Sequence, residues 1–172
     1  MKKEPVKMEP SEFKQLKNIE YFNFEEDFVE ENVRCIPMIV RFKMDAAGIK
    51  LKLHEWSRFS VAERIELAVR SCGTAEDMKT YHEWLSGIIK QHTGADATIL
   101  EISANPEWSV LDKVPFEVFE RGVEHQINLS ADQWKALTNL QRFALLKLCR
   151  PGHESKNFVK ALKEFRIVTE PE

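Results

Sequence analysis

Three His-Glu pairs, His54-Glu55, His82-Glu83 and His153-Glu154, are the residues of this sequence best suited to metal or proton chemistry. A helical zinc-protease site needs a second His four residues after the first, so that both imidazoles reach the ion from one helix face. Those positions hold Arg58, Ser86 and Asn157, and the pattern fails at each. A di-iron site in a helical bundle needs Glu three residues before His. The residues found there are Leu51, Lys79, Ile89, Gly122 and Arg150. None of the six glycines forms a Gly-x-Gly pair, and no Gly-x-Ser-x-Gly run exists, which excludes the dinucleotide, phosphate-loop and nucleophile-elbow patterns. The three cysteines, Cys35, Cys72 and Cys149, lie far apart and show no ligand spacing. They are expected as reduced, buried thiols. The arrangement left open for a small enzyme or metal site is His153 and Glu154 with Cys35 or Cys149. Otherwise no catalytic residue, metal or cofactor is expected.

The other candidate chemistry is recognition. Two stretches mix charge and apolar residues more densely than folding requires: Arg34–Asp45 with its continuation to Arg58, and residues 140–165. A partner-binding surface is expected from Arg34, Arg41, Lys43, Trp56 and Arg58 together with Arg142, Arg150, His153, Glu154 and Asn157. Arginine suits interfaces because its planar fork makes paired hydrogen bonds and stacks on rings. His153 follows Pro151-Gly152 in a turn, where side chains are displayed. The competing reading has the arginines pairing with Glu25, Glu26, Asp27 or Asp45 to hold helices together. A net charge of −3 argues against nucleic acid as the main ligand. The apolar runs are far too short for a membrane span, and the first residues lack a secretory apolar core, so a cytoplasmic location is expected.

These residues need elements to carry them. Residues 1–18, polar with Pro5 and Pro10, read as a flexible tail; 19–167 as a single helical domain; 168–172 as a flexible end. Ser60 with Glu63 makes a capping box that opens a helix closed by Gly73. Thr74, with Asp77 in the first turn, opens another that runs to Gly94. Pro115 starts a helix presenting Phe116, Phe119 and Val123. Ser130 and Gln133 cap a long helix carrying Trp134, Leu137, Leu140, Ala144, Leu145 and Leu148 up to Pro151-Gly152, and Asn157–Phe165 forms a last short one. Residues 35–51 fit a helix from Pro37, with a strand at Met38–Met44 as the alternative; Ala97–Ile102 is the other strand-like run. No repeat of solenoid length is visible. The expected fold is all-α, a compact bundle of six or seven helices. Its core is expected to include Ile39, Phe42, Ile65, Val69, Tyr81, Leu85, Ile88, Phe119, Trp134, Leu137, Leu145 and Leu148.

The runs RCIPMIVRFKMDAAGIKLKLHEWSRFS and LQRFALLKLCRPGHESKNFVKALKEF resemble the nitrate-reductase-associated protein family, and the resemblance extends from about Phe22 to Phe165. It implies an accessory role in nitrate assimilation, binding a molybdenum-cofactor nitrate reductase or its assembly machinery and supporting its assembly or activity. It implies no enzymatic activity, and it transfers no site residues.

Overall fold

The computed structural model describes residues 13, 16–25, 36–151 and 156–169. They form eight α-helices and one two-stranded sheet. In chain order these are α1 (Met38–Ala47), β1 (Ile49–Lys50), α2 (Leu53–Arg58), α3 (Val61–Val69), α4 (Ala75–Thr93), β2 (Thr98–Ile99), α5 (Phe116–Glu124), α6 (Ala131–Ala136), α7 (Asn139–Cys149) and α8 (Phe158–Glu164). The chain divides into two compact units. One reaches Tyr21 and resumes over Glu25–Ile102; the other takes Phe22–Phe24 and the residues from Ser103 onward.

In the first unit, α1 and α2 both pack on α4 and α3 packs on α1, around Val40, Met44, Trp56, Leu67, Tyr81, Leu85 and Ile89. Phe13 belongs to this core although it falls in the segment read as tail; its ring stacks on Tyr21 and Trp56. Burying so large an apolar ring outweighs the polar character of its neighbours. The rest of that segment lies largely outside the described residues. The helix from Pro37 is present as α1, and Gly48 ends it with a φ of 75°. The chain then turns into β1, which pairs antiparallel with β2, Ile49 opposite Ile99. The run 97–102 therefore does supply a strand, and its partner is the stretch just after α1.

In the second unit, α5 and α8 both pack on α7. Phe22, Phe24 and Phe165 gather their rings at one end, with centroids 5.0–6.1 Å apart. The long helix expected from Ser130 is broken into α6 and α7. Leu137 is extended, and Thr138 starts a new capping box with Gln141, each side chain accepting from the other's backbone N–H at 3.1 and 2.9 Å. Apolar spacing alone continues through such a break; the second cap decides it. Two expected core residues, Val69 and Phe119, are exposed, and Ile39, Phe42 and Ile65 are half-buried.

The two units repeat one plan. A single displacement along the chain carries Pro37, Val40, Ile49, Leu51, Trp56, Arg64 and Leu67 onto Pro115, Val118, Ile127, Leu129, Trp134, Arg142 and Leu145. The same displacement carries α1 onto α5, α2 onto α6 and α3 onto α7. It also carries Gly48 onto Gln126, whose φ of 60° puts it in the same left-handed region. The repeat is too long to be a solenoid period, and it covers a helix, a left-handed turn, an extended step and a helix-turn-helix.

Gly122 takes the place of Met44 in this plan, and a Cβ there would lie 2.7 Å from the Ile127 carbonyl oxygen. Gly122→Ala must therefore push the turn after α5 away from its helix, and a loss of about 2 kcal/mol is expected. Gly87, inside α4, has nothing near its Cβ direction. Gly87→Ala is expected to stabilise by roughly 0.5–1 kcal/mol through helix propensity. Urea unfolding of both variants checks the pair; equal effects would contradict the close approach at Gly122.

Candidate functional site

Each unit buries an arginine at the corner between its tryptophan helix and the next one. The last carbonyls of a helix have no partner within it. In the first unit Arg64, buried, donates Nε to the Trp56 carbonyl at 3.2 Å and Nη2 to the Ser57 carbonyl at 3.1 Å, and its guanidinium lies 5.4 Å from the centre of the Trp56 ring. In the second, Arg142, also buried, donates Nη1 to the carbonyls of Trp134 and Lys135 at 3.5 Å. It further reaches the Leu137 carbonyl and Asn139 Oδ1, and its Nε donates to the Trp108 carbonyl at 2.7 Å. Burial pulls its pKa down from the ordinary value. Trp134 itself donates Nε1 to the Val110 carbonyl at 2.8 Å. Both arginines are buried and donate to backbone carbonyls at the helix ends.

The residues expected at a partner surface divide between the units and differ in exposure. Trp56 is 1% exposed and part of the first core, so its place near a segment end did not put it at the surface. Lys43 is half-buried and donates Nζ to the carbonyls of Ala68 and Arg70 at 2.6 and 2.8 Å, capping the end of α3. Burial lowers its pKa, with Cys72 acting in the opposite sense. Arg142 and Asn157 are buried, and Asn157 Nδ2 donates to the Phe24 carbonyl at 3.2 Å. Arg41 is half-buried, with Nη1 3.8 Å from Met38 Sδ. Arg58 and Arg150 are exposed; Arg58 donates to the His92 carbonyl at 3.1 Å. Arg34, His153, Glu154 and Cys35 lie outside the described residues. Of the alternative enzyme site only Cys149 is described. Its thiol is pushed up to about 12, by burial first and then by Glu117.

One titratable pair was not anticipated from the sequence. His92 Nε2 lies 2.9 and 3.1 Å from the two Glu63 oxygens, and its ring is 5.5 Å from that of Phe59. Glu63 also accepts the Ser60 N–H at 2.8 Å within the capping box. Desolvation raises its carboxyl pKa, but the hydrogen bonds from Ser60 and His92 outweigh it, and the net shift is downward. Among the described residues no group of three or more His, Cys, Asp or Glu side chains is gathered for a metal, and no helix is long and apolar enough to cross a membrane.

A family model described as conserved nitrate reductase-associated protein matches residues 21–165. The chain belongs to that family. The match spans both units and both tryptophan–arginine corners. No curated protein and no solved structure matches the chain. In this nitrate reductase-associated protein the arginines buried in the two corners hold the ends of short helices. The exposed groups include Arg58 and Arg150, and also Phe116, Val123 and the expected core residue Phe119.

Two predictions follow from the site. Arg142→Met leaves several buried carbonyls without a donor and should cost about 3 kcal/mol, whereas exposed Arg150→Ala should change stability by no more than about 0.5 kcal/mol. Chemical unfolding compares them; a similar loss for both would show that the buried carbonyls find other partners. Glu63→Gln keeps the cap, since Gln141 makes the same cap in the other unit, but removes the charge facing His92. A carboxyl whose folded pKa lies below its ordinary 4.5 adds stability that is complete above that value and disappears as pH falls through the folded value. The stability gap between wild type and Glu63→Gln should therefore be present at neutral pH and narrow as pH falls below 4.5, as unfolding midpoints measured across that range would show.

Proposed function

We propose that this chain works by binding protein: it is an accessory to a molybdenum-cofactor nitrate reductase, supports that enzyme's assembly or activity, and performs no catalysis of its own. The observation that carries the reading is the family match over residues 21–165, whose description names association with nitrate reductase. The described side chains support it by where their chemistry goes. Lys43, Arg64 and Arg142 are spent on backbone carbonyls, Glu63 and His92 on each other, and the Cys149 thiol is held far from its reactive thiolate form. A cytoplasmic setting fits an accessory to an assimilatory enzyme, and the net charge of −3 favours a protein partner over nucleic acid.

A tagged form of the chain recovered from its native cells grown on nitrate should bring nitrate reductase down with it. The purified enzyme and purified chain should then bind directly in solution. Recovery of the chain without nitrate reductase or any molybdenum-cofactor protein would overturn the accessory role.

A further inference from the structure

The second unit keeps the plan of the first but changes one face. Phe116, Phe119 and Val123 of α5 occupy the positions of Met38, Arg41 and Asp45 in α1. In α1 the first of these is buried, with its backbone N–H donated to the Glu25 carboxylate at 2.6 Å, and the other two are polar. In α5 all three are apolar and stand 70%, 43% and 55% exposed. Steps of three and four residues align them in one row along the helix. Glu117, Glu120 and Glu124, each one residue further on, form a second exposed row beside the first. The corresponding α1 positions hold Ile39, Phe42 and Ala46. A repeat that folds in the first unit without either row shows that the fold does not require them. Two phenylalanines and a valine left in water in a single line form the sort of contiguous apolar patch that marks a contact surface.

We propose that this face of α5 docks an amphipathic helical segment of a partner protein that carries an apolar row edged by lysine or arginine. It rests on the reading that the chain acts by protein association, and it names the surface used. The acidic row selects the occupant. Arg121 pairs with Glu124 at 2.6 Å, and Glu117 and Glu120 form no ion pair among the described residues. A basic edge on the partner supplies the missing counter-charge, adding steering and register to the apolar contact. A second copy meeting this face through its own α5 face would set the same apolar and acidic rows against it, acid against acid. An amphipathic helix laid into such a surface reads it through anchors at the same three- and four-residue spacing.

The test uses the full chain and a synthetic helical peptide bearing a leucine row and an adjacent lysine row, labelled for fluorescence anisotropy. Saturable binding is expected. It should weaken at least tenfold with Phe116→Ser/Phe119→Ser and again with Glu117→Lys/Glu120→Lys, both pairs keeping the wild-type melting temperature because the replaced groups are exposed. No binding, or equal binding of a leucine–glutamate peptide, overturns the proposal. So does a dimer in sedimentation that Phe116→Ser/Phe119→Ser dissociates, which would assign the face to self-association. The same variants separate this surface from the functional reading. If wild type and variants capture nitrate reductase equally, the α5 face is wrong and the association stands. If the peptide binds as expected while wild type captures no nitrate reductase, the face stands and the partner is another protein.

Discussion

Each unit turns on a buried arginine that closes the end of a short helix. A helix of six residues cannot satisfy its own last carbonyls, and in α2 and α6 those carbonyls point inward, beside a buried tryptophan. The bonds to the Trp56, Trp134 and Leu137 carbonyls are buried, and a buried carbonyl needs a donor supplied from within. Arg64 and Arg142 supply it from the first turns of the following helices, in reach because the capping box fixes where those helices begin. Cap, tryptophan and arginine are thus one device: the cap sets the corner angle, the tryptophan fills it, and the arginine pairs the exposed backbone. Guanidinium suits the task because its fan of donors reaches several carbonyls at once.

Repetition of that device separates what the fold needs from what it does not. Positions alike in both units are buried in both, apart from half-buried Ile127: valine on the first helix, isoleucine and leucine of the extended step, tryptophan, arginine, and leucine of the third helix. Where the units differ, the difference is either a local substitution with a steric reason or a change of surface. Gly122 in place of Met44 lets the chain after α5 lie against the helix. β1 finds β2 in the first unit, whereas Ile127 follows its left-handed turn without a strand partner among the described residues. The outer rows of α1 and α5 differ in surface chemistry alone: α5 exposes Phe116, Phe119 and Val123 where α1 carries Met38, Arg41 and Asp45.

The ionisable groups tell a consistent story. Burial lowers Lys43 and raises Cys72 and Cys149, so the charged form of each is disfavoured, and each sits near an oppositely charged or dipolar partner that partly offsets the cost. Cys72 lies beside Lys43 and Cys149 beside Arg121, two residues at corresponding places in the repeat. A thiol kept neutral next to a basic side chain already committed to backbone or carboxylate is structural material.

Local chemistry was legible in the sequence. The capping boxes at Ser60 and Ser130, the helix start at Thr74 with Asp77 in its first turn, the proline starts at Pro37 and Pro115, and the glycine stop at Gly94 depend on residues within one turn, and the helices start or stop where those signals put them. The corner motif was there as well, since Trp, Phe or Leu, Ser or Thr, Glu or Gln, and Arg recur at matching spacing; it reads as a repeat once the break at Leu137-Thr138 is known. Exposure was not legible. An arginine in an amphipathic pattern reads the same whether it faces water or a set of orphan carbonyls, and a tryptophan near a segment end reads the same in the core or out of it. Arg142, Asn157, Lys43 and Trp56 went inside because the tertiary structure put unpaired backbone or empty core volume next to them. Phe116, Phe119 and Val123 stayed outside because α5 buries Val118 and Gly122 instead, a choice made by the close approach of α5 to the chain that follows it. Which face of a helix is covered depends on neighbours distant in sequence, and only the folded chain specifies them.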